Sequence, residues 1–127
     1  MFQILMIDDT KSVHAFVKSL LLKSPEVVVT SVFNGQEALK LLETKSDFQI
    51  VLLDWEMPIL DGPSTFAAFI EKGIKIPTVM MTTKNKPEEI EKMLMMGVSE
   101  YLMKPFTIDI LFEKIEYASG KALQYAA

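Results

Sequence analysis

An α/β domain built on a parallel sheet is the fold class this sequence predicts, and three observations predict it. Short apolar runs without polar alternation recur along the chain, segments with apolar residues at helical spacing lie between them, and turn or cap residues mark the joints. The first run, Phe2 to Ile7, is broken only by Gln3, and the helix after it carries Val13, Phe16, Val17, Leu20 and Leu21 on one stripe. Val27 to Val32 form the second run. Asn34-Gly35 then turns the chain into a helix with Ala38, Leu41 and Leu42 inward. Ile50 to Leu53 are four consecutive aliphatic residues, as a strand covered on both faces requires. Pro63 sits in the first turn of a helix with Phe66, Phe69 and Ile70 at its core face, and Pro77 to Met81 make the fourth strand. Pro87 opens the next helix, where Glu88 and Glu89 suit the N-terminal dipole and Ile90, Met93 and Leu94 form the stripe. Tyr101 to Met103 complete the set of strands. Thr107 caps the last helix with Asp109 behind it, ahead of the stripe Ile108, Leu111, Phe112 and Ile115. Five βα units in this alternation imply right-handed crossovers and helices on both faces of the sheet.

A chain of 127 residues has the size of one domain, taken here as residues 1–127, and buries one ordinary core. Thirteen Lys and Arg against seventeen Asp and Glu leave a net charge of −4, which makes a nucleic-acid phosphate backbone a poor partner. Without cysteine there is no disulfide framework, thiolate nucleophile or thiolate metal site. The run from Phe2 to Ile7 is too short for a secretory core or for the ~20 residues that span a bilayer. A soluble, cytoplasmic protein that does not insert into membranes is expected.

Ligands of open parallel sheets bind beyond the carboxyl ends of the strands, so those ends carry the functional reading. Asp8 and Asp9 follow the first strand, Asp54 the third, Thr82 and Thr83 the fourth, and Lys104 the fifth. Taken singly, Thr82 or Lys104 would be ordinary surface residues, and an acidic pair is often a solvated turn. Their coincidence at separate ends of one sheet is the signal. Unit charges 4 Å apart interact by about 1 kcal/mol in water and ~4 kcal/mol at an effective dielectric of 20, so the three carboxylates would repel one another. A divalent cation relieves that repulsion, and oxygen ligands without His or Cys favour Mg²⁺. With Lys104 and a hydroxyl nearby, the set suits a phosphoryl group, one carboxylate being free to act as nucleophile.

The motifs ILMIDDT, LLDWEMPILDG, VMMTTK and YLMKPF, in this order and spacing, resemble those of the receiver domain of two-component response regulators, and the resemblance covers essentially the whole chain. It implies a flavodoxin-like (βα)5 three-layer sandwich with strand order 2-1-3-4-5. It further implies that Asp54 accepts a phosphoryl group from a histidine kinase or phosphotransfer protein. By the same resemblance Asp9, Asp54 and the main-chain carbonyl of Glu56 ligate Mg²⁺, with Asp8 acting through water. Lys104 and Thr82 would contact the phosphoryl oxygens, Tyr101 would be the aromatic switch, and the Lys104-Pro105 bond would be cis. Tyr101 could otherwise be a strand aromatic that only covers core.

Glu56 and Lys84 fall at positions that the family associates with phosphoryl lifetime, and a pairing between them across the site is expected. Trp55, beside the acceptor, should report metal binding. His14, the sole histidine, is read as a surface residue of the first helix with no role in the site. Met95 lies about 140° from Ile90 around the fourth helix and should face solvent, on the α4-β5-α5 side that the family uses for output.

A hydrolase acting through an aspartyl phosphate is the enzyme alternative. The haloacid-dehalogenase phosphatases place a second aspartate two residues after the nucleophile, where this chain has Glu56. A flavin-binding module would place Asp8 and Asp9 against its phosphate, and a docking module without phosphorylation would not need the full set of site residues. The remaining expectation is a monomeric, stand-alone receiver that signals by binding, as chemotaxis regulators do. A phosphorelay intermediate and a fragment of a longer regulator are the alternatives.

Overall fold

The computed structural model describes residues 1–126, and strands and helices alternate throughout. The strands are β1 (Phe2–Ile7), β2 (Val27–Val32), β3 (Ile50–Asp54), β4 (Thr78–Thr82) and β5 (Glu100–Met103). The helices are α1 (Lys11–Leu21), α2 (Gly35–Leu42), α3 (Gly62–Glu71), α4 (Pro87–Met96) and α5 (Ile108–Ser119). All pairings are parallel and the strand order is β2-β1-β3-β4-β5. This is the expected flavodoxin-like order, with β1 and β3 side by side at its centre.

Strand ends differ from the sequence reading by one residue in three places. β3 runs on to include Asp54, β4 is shifted to end at Thr82, and β5 begins at Glu100. The ladder explains the first two, since Asp54 is in register with Met81 and Thr82 with Met103. Every residue of β3 and β4 is buried, which is why neither strand alternates in polarity.

The sheet divides the core in two. On one face Val17 and Leu21 of α1 and Leu111, Phe112 and Ile115 of α5 pack on Ile4, Met6, Leu52 and Met81. On the other, Ala38 and Leu42 of α2, Phe66 and Phe69 of α3 and Met93 of α4 pack on Leu5, Ile7, Leu53 and Met80. The expected cap forms at Thr107, whose side chain accepts from the Ile110 amide, Asn34 of the expected turn also caps α2 by accepting from the Glu37 amide, and Pro63 and Pro87 stand in first turns.

Three stripe assignments and one surface assignment need correction. Phe16, Ile70 and Leu94 are exposed, whereas His14 is buried. The inward line of α1 is His14, Val17 and Leu21, continued by buried Ser24 after the helix. That line keeps helical spacing but includes two polar residues, so hydrophobicity alone rotates the stripe toward Phe16. α4 buries only Met93, and Met95 is 79% exposed, as its angular position requires.

The β3–α3 connection contains one strained residue. Ile59 has φ 70 and is 72% exposed, a left-handed conformation that a β-branched side chain rarely adopts. Ile59→Asn is therefore expected to stabilise the fold by about 1 kcal/mol, read as a higher urea midpoint at unchanged slope.

Candidate functional site

The central pair of strands brings the acidic residues together. Asp8 follows Ile7, which is in register with Leu53, and Asp54 follows Leu53. Carboxylate oxygens of Asp8, Asp9 and Asp54 lie within 4.8 Å of one another, a grouping that could hold a metal ion. Asp8 and Asp54 are buried and Asp9 is exposed, so the cluster opens outward through Asp9.

Lys104 completes the charge set. Its ammonium donates to Asp54 Oδ1 at 3.0 Å and lies 3.5 Å from Asp8 Oδ2. The second approach is an ion pair without hydrogen-bond alignment, and Asp8 Oδ2 is buried with no hydrogen-bond partner among the described residues. Asp8 Oδ1 accepts from the Thr10 amide at 2.9 Å. Lys104 is itself held in place, its backbone amide donating to the Thr82 carbonyl at 2.8 Å, and the Lys104-Pro105 peptide bond is cis as expected.

One lysine does not neutralise this cluster. The Asp54 carboxyl is pushed up from 3.8 to about 6, first by burial and then by the charge of Asp8. The hydrogen bond and charge of Lys104 and the Glu56 amide oppose that rise without cancelling it. A buried carboxylate oxygen without a hydrogen bond and three converging acids are what a hard divalent cation satisfies, so the residues present fit Mg²⁺.

A cleft of about 280 Å³ opens over the cluster, lined by Asp9, Asp54, Glu56, Thr82, Thr83 and Lys104 among others. Thr82 is buried at the end of β4, and its hydroxyl oxygen accepts from the Lys84 amide at 2.9 Å, which leaves the hydroxyl hydrogen available to a ligand. Glu56 and Lys84 face each other at 3.9 Å across the mouth, and Lys84 is also 3.5 Å from Glu89. Tyr101 lies outside the cleft. It is two residues before Met103, the register partner of Thr82, and its half-buried ring lies under the Lys114 ammonium at 4.6 Å.

Two contributors escape sequence reasoning. Gly62 is inside a quoted motif, yet nothing there tells that its backbone presses on Asp54 and Trp55. His14 donates from Nε2 to the Asp8 carbonyl at 2.7 Å, where a surface residue was expected. Its position six residues after Asp8, one helical turn into α1, is the only sequence signal.

The response regulator receiver domain matches residues 4–116 of this sequence. The chain belongs to that family. Among relatives, the chemotaxis protein CheY homolog of Campylobacter jejuni is 31% identical over 120 residues, 93% of this chain and 92% of the relative. The receiver domain of a Francisella response regulator superposes with a TM-score of 0.86 at 30% identity, covering 95% of this receiver and all of the other chain. A third similar structure is the receiver domain of a Pseudomonas aeruginosa sensor histidine kinase, with a TM-score of 0.82, 25% identity and coverage of 94% and 98%. That domain was solved with a magnesium ion coordinated in its active site cleft. Receiver domains of this CheY-like kind are signalling proteins of two-component systems and not classical enzymes. No helix among the described residues is long and apolar enough to cross a membrane.

Proposed function

We propose that this receiver, a single domain over residues 1–127, takes up a phosphoryl group on Asp54 from a phosphohistidine of a histidine kinase or phosphotransfer protein. The observation that carries the reading is the Asp54 carboxylate at the end of a central strand, 3.0 Å from Lys104 and in the acidic cluster at the floor of an open cleft. In the transfer an Asp54 oxygen forms a bond to phosphorus, the bond from phosphorus to the donor imidazole nitrogen breaks, and its electron pair stays on that nitrogen. Lys104 then stands beside the new phosphoryl oxygens, and the free hydroxyl hydrogen of Thr82 is a second donor to them.

Asp9, Asp54 and the Glu56 carbonyl would hold Mg²⁺, with Asp8 acting through water. When bound, the cation neutralises charge on the transferring phosphoryl group. Asp8, Asp9, Asp54 and Lys104 sum to −2, so a divalent cation brings the site to zero and phosphorylation adds about one negative charge again. Thr82 and Tyr101 respond to that change as the switch. The partner surface is α4-β5-α5, where Pro87, Ile90, Leu94 and Met95 line a shallow apolar groove. Relatives named as chemotaxis proteins favour chemotaxis as the process. The receiver is read as monomeric and cytoplasmic, and its net charge of −4 argues against a nucleic-acid partner.

Incubation with acetyl phosphate and Mg²⁺, followed by intact-mass measurement, tests the reading. Wild type is expected to gain one phosphoryl group and Asp54→Asn none. Equal uptake by the variant, or none by wild type, would overturn it. Glu56 and Lys84 flank the path of the hydrolytic water. Glu56→Ala and Lys84→Ala are each expected to shorten the phosphoryl lifetime by up to about fivefold, the kinetic equivalent of the ~1 kcal/mol available to an exposed pair. Unchanged lifetimes in both would remove the pair from the mechanism.

A further inference from the structure

We infer that His14 is a positioning residue for the cation site, acting through the main chain of Asp8. This rests on the reading that the aspartate cluster binds Mg²⁺. The carboxylates of Asp8 and Asp9 sit on a short joint between β1 and α1 that belongs to neither element. Within it the Asp8 amide donates to the Val32 carbonyl at 3.3 Å and Asp8 Oδ1 accepts from Thr10. The Asp8 carbonyl, at the end of the β1 ladder, receives the imidazole of His14 at 2.7 Å.

A carbonyl only accepts, so Nε2 carries the hydrogen of this bond. The Asp8 carbonyl belongs to the peptide that joins Asp8 to Asp9. Fixing that oxygen fixes the peptide plane, and with it the positions of the Asp9 amide and Cα, so that only φ and the side-chain torsions remain to aim the Asp9 carboxylate. The ring is fixed in turn: His14 is 5% exposed, and its centroid is 4.5 Å from that of Phe33 at 48°. Nδ1 is buried without a hydrogen-bond partner among the described residues, so the imidazole makes one polar contact, and that contact is to the metal-site backbone. A side chain chosen only to fill the α1 face would be aliphatic like Val17 and Leu21, which occupy the same inward line. Groups that orient the ligands of a metal typically contribute 10- to 100-fold in affinity.

Isothermal titration of the metal-free protein with Mg²⁺ alone tests this, with Trp55 fluorescence as a second readout. His14→Leu is expected to weaken Mg²⁺ binding about tenfold. His14→Gln, whose side-chain amide nitrogen stands as many bonds from Cβ as Nε2 does, is expected to restore affinity to within about threefold of wild type. His14→Asn places its nitrogen one bond short and is expected to behave like His14→Leu. Urea denaturation of each metal-free variant separates folding from binding. A loss of stability with unchanged Mg²⁺ affinity in His14→Leu would overturn the inference. Should His14→Leu not fold, equal affinities of the Gln and Asn variants would overturn it, and the expected split between them would support it. No Mg²⁺ binding by wild type would overturn the metal reading and this inference with it, whereas a responsive wild type with indifferent variants overturns this inference alone.

Discussion

Metal-free Asp54→Asn protein is expected to be more stable than wild type at pH 7, by about 2 to 3 kcal/mol. The wild-type carboxyl is held at about 6 instead of 3.8, chiefly by burial and by Asp8. A rise of that size corresponds to about 3 kcal/mol between the protonated and ionised forms, and asparagine approximates the protonated one. The direction with pH follows from proton linkage. With its folded-state value raised, the native protein binds this proton more tightly than the unfolded chain does, so ionisation costs stability as pH rises from about 4 to about 6. The two proteins should therefore be nearly matched at pH 4 and fully separated by pH 7, because every other titrating group is common to both. Adding Mg²⁺ should narrow or reverse the gap, since a ligand that binds the native state stabilises it by mass action. Urea titrations at several pH values, with and without Mg²⁺, measure all of this. A variant less stable than wild type at pH 7 without metal would refute the electrostatic account of the cluster.

Gly62→Ala is expected to damage both fold and site. A Cβ at Gly62 would lie 2.5 Å from the Asp54 carbonyl oxygen and 2.7 Å from Trp55 Cα. Both are backbone atoms with no side-chain rotation to relieve the contact. The Gly62 amide also donates to the Trp55 carbonyl at 2.9 Å, and Asp61 caps α3 by accepting from the Ser64 amide at 2.8 Å. The start of α3 is thus clamped to the backbone that carries Asp54, and one methyl group must separate them. Overpacking of this kind costs about 1–3 kcal/mol, and the upper end applies where only backbone can yield. Displacement of Asp54 by as much as about 1 Å should slow phosphoryl uptake by up to ~100-fold in protein that is still folded. Urea denaturation and the uptake rate from acetyl phosphate check the two effects separately. Stability within about 0.5 kcal/mol of wild type, the range of neutral surface changes, would show that the contact relaxes freely.

The strand ends that carry the site were legible to within a residue because each is a change from apolar to polar or charged side chains. Four aliphatic residues run into Asp54, and Phe2 to Ile7 runs into Asp8 and Asp9, so the convergence of Asp8, Asp9, Asp54, Thr82 and Lys104 follows once the sheet is parallel. Strand order was not legible from periodicity, which says nothing of neighbours, and it came from the resemblance. The helix faces were read less well. Ile70 and Leu94 match their stripes in hydrophobicity but lie at the margins, because α3 buries Phe66 and Phe69 and α4 buries Met93, with Ile90 and Met96 only partly covered. His14 was missed for the converse reason: its burial depends on a carbonyl and on Phe33, partners brought to it by the turn after β1 and the end of β2. Gly62 was missed because a close backbone approach leaves no trace in composition.

The division of the core by the sheet gives this receiver a set of internal reporters. Met6 and Met81 lie in the α1/α5 layer, Met57, Met80 and Met93 in the opposite one, and Met1 and Met95 are in solvent. Adjacent Met80 and Met81 point to opposite sides of β4, next to Thr82. With ¹³C-methyl labelling of methionine, the resonances of these two neighbours would tell on which side of the central β-sheet a donor, metal or target makes itself felt, without any engineered probe.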